Sequence, residues 1–207
     1  MSATRSALRL ALDLRSPFAC LALEPTLAWA RHLEVDLDCL PFAGHVLRPP
    51  GPADTEADRG SRHRRSRAEH IAREIEVYAA AQGLLLREPY REAPVDAAGQ
   101  AWLWLRQHAP NRLGDFLRQL FRRYWSLELD AANPASVAEL LGPEAEAFLD
   151  WARHEGPAAL DANQRALRAE GVFQTPAYLL EGELFYGRQH LPMLRWMLEG
   201  RSGPVPI

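Results

Sequence analysis

The segments that read as strands fall near the two ends of this 207-residue chain, with a long stretch of mostly helical pattern between them. Any sheet must therefore join segments far apart in sequence. At the N-terminal end Leu8, Leu10 and Leu12 alternate with Ala7, Arg9 and Ala11, which predicts a strand ending at Asp13. Ser16 then Pro17 is the signature of a helix start, serine as cap and proline as first helical residue, and the helix should run to about His32. Pro25 inside it predicts a kink or a break. Val35, Leu37 and Cys39 alternate with Asp36 and Asp38, a second strand ending near Pro41. At the other end Ala177–Leu180 and Glu183–Tyr186 read as strands around a Glu181-Gly182 turn, followed by a closing helix over Leu191–Leu198. The strand–helix–strand unit implies a right-handed parallel crossover, and the hairpin adds antiparallel strands. The expected result is a four-stranded mixed sheet with helices on both faces.

Between these ends, Arg48 to Gly60 is rich in Pro, Gly and Asp and reads as a loop or domain boundary. Helical pattern then runs from Ser61 to about Arg168. Ile71, Ile75 and Tyr78 keep one face until Gly83. Trp102, Leu103 and Leu105 belong to a second helix closed near Pro110, and Phe116 to Tyr124 to a third. Shorter helices are expected over Ser136–Leu141, Pro143–His154 and Asp161–Ala169.

Composition narrows the chemistry. All 24 basic residues are arginine, so a Schiff-base or general-base lysine is excluded. A net charge of −3 gives no reason to expect nucleic acid or an anionic membrane as partner. The two cysteines, Cys20 and Cys39, form no Cys-X-X-Cys and no disulfide framework; both read as small buried residues. The apolar run Ala7–Leu14 is too short for a membrane span and has no small-residue cleavage site, which by default places the protein in the cytoplasm. The seven histidines show no metal-ligand spacing, and no metal is assigned.

Two segments carry chemistry. The stretch Asp13-Leu14-Arg15-Ser16-Pro17-Phe18-Ala19-Cys20 lies where a strand gives way to a helix N-terminus, which presents free N–H groups and a positive dipole end. A thiolate held there is stabilised. Ser16 has no paired base nearby and is no strong nucleophile, but its hydroxyl can donate to a thiolate supplied by another molecule; the plainer reading is a helix cap. The second segment is Gly171-Val172-Phe173-Gln174-Thr175-Pro176-Ala177-Tyr178. Pro176 is either an ordinary strand-start proline or the mark of a cis peptide bond that exposes the Thr175 backbone to an extended peptide.

Taken together, the two segments resemble a known family. Ser16-Pro17-Phe18-Ala19 is similar to the active-site motif of the DsbA-like superfamily with serine for the first cysteine. Val172-Phe173-Gln174-Thr175-Pro176 and Gly182-Glu183-Leu184-Phe185-Tyr186-Gly187 are similar to its cis-proline strand and hairpin. The serine form is typical of 2-hydroxychromene-2-carboxylate isomerases and kappa-class glutathione transferases. The resemblance implies an α/β thioredoxin-like fold with a large all-helical insertion: a discontinuous thioredoxin-like domain over 1–50 and 160–207, and an insertion over 51–159. It implies glutathione as cofactor, with Ser16 as catalytic residue holding its sulfur as thiolate. Pro17, Phe18, Thr175 and Pro176 would bind glutathione, Thr175 through its backbone, and Arg67 would take the place of a lysine. The family's Gly-X-Asp-Arg falls on Gly187-Arg188-Gln189-His190, so Gln189 and His190 replace the acidic and basic groups at the γ-glutamyl end. A cis Thr175–Pro176 bond near Ser16 is expected.

The implied activity is glutathione-dependent isomerisation or transfer on a small aromatic carbonyl acid, by a protein with a small-molecule substrate and with a homodimer left open. Two rivals stand beside it. One is a thiol-disulfide oxidoreductase relative, against which Ser16 and Ala19 remove both cysteines of the usual pair. The other is a non-catalytic member that binds a ligand or peptide beside Pro176. Among weaker features, Arg59, Arg62, Arg64, Arg65 and Arg67 with His63 read as a solvated helix start, or as a site for a carboxylate or phosphate. Trp102, Trp104, Phe116, Phe121, Tyr124 and Trp125 read as helical core, with one or two expected to line the cleft.

Overall fold

A computed structural model describes residues 8–51 and 58–206. Ala7 of the first strand pattern and residues 52–57 of the Pro/Gly-rich segment lie outside them. In chain order the elements are β1 (Leu8–Leu12), α1 (Pro17–His32), β2 (Leu37–Pro41), α2 (Arg59–Gln82), α3 (Asp96–His108), α4 (Leu113–Trp125), α5 (Pro134–Ala138), α6 (Ala145–His154), α7 (Gly156–Ala169), β3 (Ala177–Leu180), β4 (Glu183–Tyr186) and α8 (Leu191–Leu198). The strands form one sheet in the order β2-β1-β3-β4, with β1 parallel to β2 and the other pairs antiparallel. This is a thioredoxin-like fold with a large helical insertion. No helix among the described residues is long and apolar enough to cross a membrane.

The two-residue period of the strands sorts their side chains onto two buried faces. Leu8, Leu10 and Leu12, with Cys39, Tyr178 and Leu180, pack with α1, α8 and the inserted helices. Ala11, Leu40, Ala177 and Leu179 pack on the opposite face with Leu167 of α7 and Val172. Between α1 and β3, the Tyr178 hydroxyl and Thr26 Oγ1 lie 2.7 Å apart, and Thr26 donates to the Ala22 carbonyl. The outer edge of β2 is covered, which satisfies groups that would otherwise invite strand addition. Trp102 Nε1 donates to the Cys39 carbonyl at 3.0 Å, and Asn163 Nδ2 to the Pro41 carbonyl at 2.7 Å. On α3, Gly99 lets α7 approach closely, since a Cβ there would lie 3.0 Å from Leu160 Cδ1.

Several boundaries differ from the sequence expectation, each for a local reason. The β2 strand begins at Leu37, because the Val35 N–H closes α1 by donating to the Ala30 carbonyl at 2.8 Å, with Glu34 at φ 52°. The α5 helix starts earlier than Ser136: Asn133 caps it by accepting from the Ala135 N–H, and Pro134 leads. The stretch opening at Pro143 begins as a 3-10 turn over Gly142–Glu144 before α6. The α7 helix starts at Gly156, with Pro157 in its first turn, rather than at Asp161. The hairpin turn has positive φ at both Glu181 (52°) and Gly182 (85°), the geometry that matches strand twist.

Pro25 neither breaks nor ends α1, which is continuous through Leu21–Thr26. A proline has no N–H for the carbonyl four residues before it, here Leu21. That carbonyl instead accepts from Gln82 Nε2 at 3.1 Å and Arg188 Nη1 at 3.5 Å. The bond α1 lacks internally is thus made to the end of α2 and to the segment after β4.

Candidate active site

Ser16 caps α1. Its side-chain oxygen accepts from the Ala19 N–H at 3.3 Å, which leaves the hydroxyl proton free to donate outward. Its position is set by the buried Asp13 just below. The Ser16 N–H donates to the Asp13 carbonyl at 3.0 Å. The Asp13 carboxylate accepts from the Arg15 N–H, Nε and Nη2 at 2.9, 3.1 and 2.9 Å, and from the Gly44 N–H at 2.8 Å. Arg15 Nη2 also donates to the Gly44 carbonyl at 3.0 Å. The Asp13–Arg15 pair therefore grips both backbone groups of Gly44 and brings the segment after β2 alongside Ser16.

Across from Ser16 the Thr175–Pro176 peptide bond is cis, as expected from the pairing of the two motifs. The Pro176 carbonyl accepts from the Gly187 N–H at 2.9 Å, and the Tyr186 hydroxyl donates to the Gly171 carbonyl at 2.6 Å, which fixes the segment leading to Thr175. Ser16, Pro17, Phe18, Arg67, Thr175, Pro176 and Gln189 all line one cavity of about 640 Å³. Of the eight residues proposed from sequence, His190 alone is not among them: its ring packs against Phe185, with centroids 5.5 Å apart.

The structure adds wall residues that sequence reasoning missed, among them His45, Ile71, Glu74, Gln174, Tyr186 and Arg188. Arg67, Ile71 and Glu74 are spaced by four and three residues on α2 and so form one stripe facing the cavity. That spacing was visible in the sequence; the direction of the stripe was not. Arg188 supplies a cation where His190 had been expected, its guanidinium carbon 3.7 Å from the centroid of the Tyr78 ring. Gln189 curls back over Gly187 and donates from Nε2 to the Tyr186 carbonyl at 2.8 Å. Gly187 sits at φ 91°, a backbone conformation that favours glycine, and the end of the Gln189 side chain folds over the space a Cβ would take.

The inserted aromatics do not reach this cavity. All six of Trp102, Trp104, Phe116, Phe121, Tyr124 and Trp125 are buried, which corrects the expectation that one or two line the cleft. Amphipathic α4 and apolar α3 turn them toward each other; Phe121 and Trp125 border a separate cavity of about 410 Å³ beside Cys20. Cys20 and Cys39 are both free and buried. Burial pushes each thiol up to about 12, so neither is a nucleophile at neutral pH. Of the basic cluster, Arg67 faces the cavity, while Arg65 pairs with Glu69 at 2.7 Å on the surface.

A capping serine at a helix N-terminus facing a cis-proline strand defines a thioredoxin-type site. The sequence matches the DSBA-like thioredoxin domain over residues 9–199, and the chain belongs to that family. Among solved structures it is similar to a 2-hydroxychromene-2-carboxylate isomerase, with 19% identity, TM-score 0.67 and 94% of this chain covered against 95% of that one. It is also similar to a probable DsbA oxidoreductase from Streptomyces coelicolor, with 17% identity, TM-score 0.65 and coverage of 98% and 93%. The cytosolic disulfide reductase DsbM from Pseudomonas aeruginosa, solved with glutathione, shares 20% identity at TM-score 0.56, with coverage of 95% and 94%. At these identities the likeness is one of fold. No curated protein sequence matches the chain.

Proposed function

We propose that the protein is a glutathione-dependent isomerase or transferase acting on a small aromatic carbonyl acid, working in the cytoplasm, where glutathione is kept reduced. The observation that carries this reading is Ser16: a hydroxyl whose oxygen already accepts the Ala19 N–H, at the start of α1, in the same cavity as the cis Thr175–Pro176 bond. A thiolate placed there accepts a hydrogen bond from the Ser16 hydroxyl and is stabilised by the positive end of the helix. Among the described residues lining the cavity are two arginines, Arg67 and Arg188, and one carboxylate, Glu74. That set complements a tripeptide with two carboxylates and one ammonium. The 2-hydroxychromene-2-carboxylate isomerase of the same fold and the glutathione-bound reductase support the reading.

In the isomerisation the glutathione thiolate adds to an unsaturated carbon conjugated with the carbonyl, and the electron pair moves to the carbonyl oxygen. The carbon–carbon bond, now single, rotates. Return of the electron pair re-forms the double bond and expels the thiolate, so glutathione is not consumed. Dithiol exchange has no support at this site, since positions 16 and 19 are Ser and Ala and Cys20 is buried with its thiol held protonated.

A hydrogen bond to a charged group is worth about 1.5–3 kcal/mol, and a pKa unit about 1.4 kcal/mol. Ser16→Ala should therefore raise the pKa of bound glutathione by about one to two units, with turnover lost and glutathione affinity nearly unchanged. Thiolate absorbance of bound glutathione, titrated against pH in both proteins, checks this. Superimposable titration curves would reduce Ser16 to a helix cap, and absence of glutathione binding by the wild type would sink the reading.

A further inference from the structure

The hairpin loop where the family resemblance places an acidic residue carries Gln189, whose amide is turned into its own loop and bonded to the Tyr186 carbonyl. A glutathione-binding cavity without a carboxylate would leave the ligand's ammonium group without a counter-ion. Among the described residues lining the cavity one carboxylate is present, that of Glu74, on a different element. Glu74 is half-buried on α2, and its side chain has no hydrogen bond or ion pair among the described residues; the same holds for Arg67 two turns earlier. Two opposite charges on one helix face, each within a cavity wall and each unpaired, are poised for a ligand rather than for one another.

We propose that Glu74 is the counter-ion for the ammonium of the γ-glutamyl residue, and that α2 takes over the recognition that the hairpin loop cannot perform; this rests on the glutathione reading of the site. The arrangement also orients the ligand. Seven residues separate Arg67 from Glu74, which is about 10 Å along a helix at 1.5 Å per residue. That distance is too long for one amino-acid head group and suits the two ends of an extended tripeptide. Arg188 lies against Tyr78, one turn beyond Glu74 on the same helix. Glu74 and Arg188 therefore receive the ammonium and carboxylate of the γ-glutamyl end, Arg67 receives the glycine carboxylate, and the cysteinyl sulfur lies between them at Ser16. Specificity follows from charge pattern: an elongated thiol with an anionic group at one end and a zwitterionic head at the other.

The test compares two ligands on two proteins by calorimetry. The ligands are glutathione and glutaryl-cysteinyl-glycine, which is glutathione without its α-amino group. Wild type should bind glutathione about tenfold more tightly than the analogue. Glu74→Gln should bind both ligands within about twofold of each other, with affinity for the analogue as in the wild type. If Glu74→Gln keeps the tenfold preference, or loses both ligands while the wild type holds both, the assignment of Glu74 is overturned and the glutathione reading stands. If the wild type binds neither ligand, the glutathione reading fails and the assignment fails with it.

Discussion

Ser16 is positioned by a residue that does not line the cavity. Asp13 is buried at the end of β1 and holds the Arg15 guanidinium, the Arg15 N–H and the Gly44 N–H on its two oxygens, while its own carbonyl fixes the Ser16 N–H. Replacing it by Asn leaves a largely buried arginine without its counter-charge. Breaking such a pair costs about 3 kcal/mol, so Asp13→Asn should lower the urea midpoint sharply at unchanged denaturant slope. The cysteines give a second test at this scale. Burial holds both thiols protonated in the folded state, up to about 12, against an ordinary value of 9.0. The folded protein thus retains protons that the unfolded chain releases. This contribution to stability is fully present below about pH 9 and is lost as pH rises from there through about 12. Native protein at pH 8 should leave both thiols unmodified by a thiol-specific disulfide reagent, with two released on denaturation; rapid native labelling would contradict the burial.

At the scale of elements, α1 holds the molecule's parts together through a defect in its own hydrogen bonding. Pro25 frees the Leu21 carbonyl, and Gln82 and Arg188 fill it from two other segments. In the wild type Gln82→Ala should cost about 1 kcal/mol, because the buried Leu21 carbonyl loses the closer of its two donors and keeps only Arg188 at 3.5 Å. In a Pro25→Ala background the alanine supplies the missing helical N–H, and the same Gln82→Ala change should cost a few tenths of that. A double-mutant cycle by urea denaturation measures the coupling; equal costs in both backgrounds would show that the Gln82 bond carries no load. Tyr178→Phe tests the contact between α1 and β3, where removal of the hydroxyl from Thr26 should cost about 1 kcal/mol. A proline inside a helical pattern predicts a break from local rules alone. Here tertiary donors compensate for it, and no pattern along the chain announces which side chain will arrive from residue 82 or 188.

For the whole molecule, the cavity lies between α1, α2, the start of β3 and the segment after β4, so a bound ligand touches segments far apart in the chain. A ligand that binds only the folded state at a hundred times its dissociation constant stabilises by about 2.7 kcal/mol. For a domain of this size that is a rise of about 5–10 °C in thermal midpoint, measurable with glutathione, and it should be smaller for Glu74→Gln. The strands, the Ser16-Pro17 helix start, the hairpin and the closing helix were determined by local sequence, because period, caps and turn residues act over a few residues and need no distant partner. The pairing of Ser16 with Thr175–Pro176 was legible only through the resemblance of two motifs. Tertiary structure alone decided that Glu74 and Arg188 join the cavity, that His190 leaves it and that the inserted aromatics turn away from it. Those outcomes depend on the rotation of α2 against α1 and on how the loop after β4 closes over Gly187. Both are set by packing between segments distant in sequence, which the pattern within any one segment does not encode.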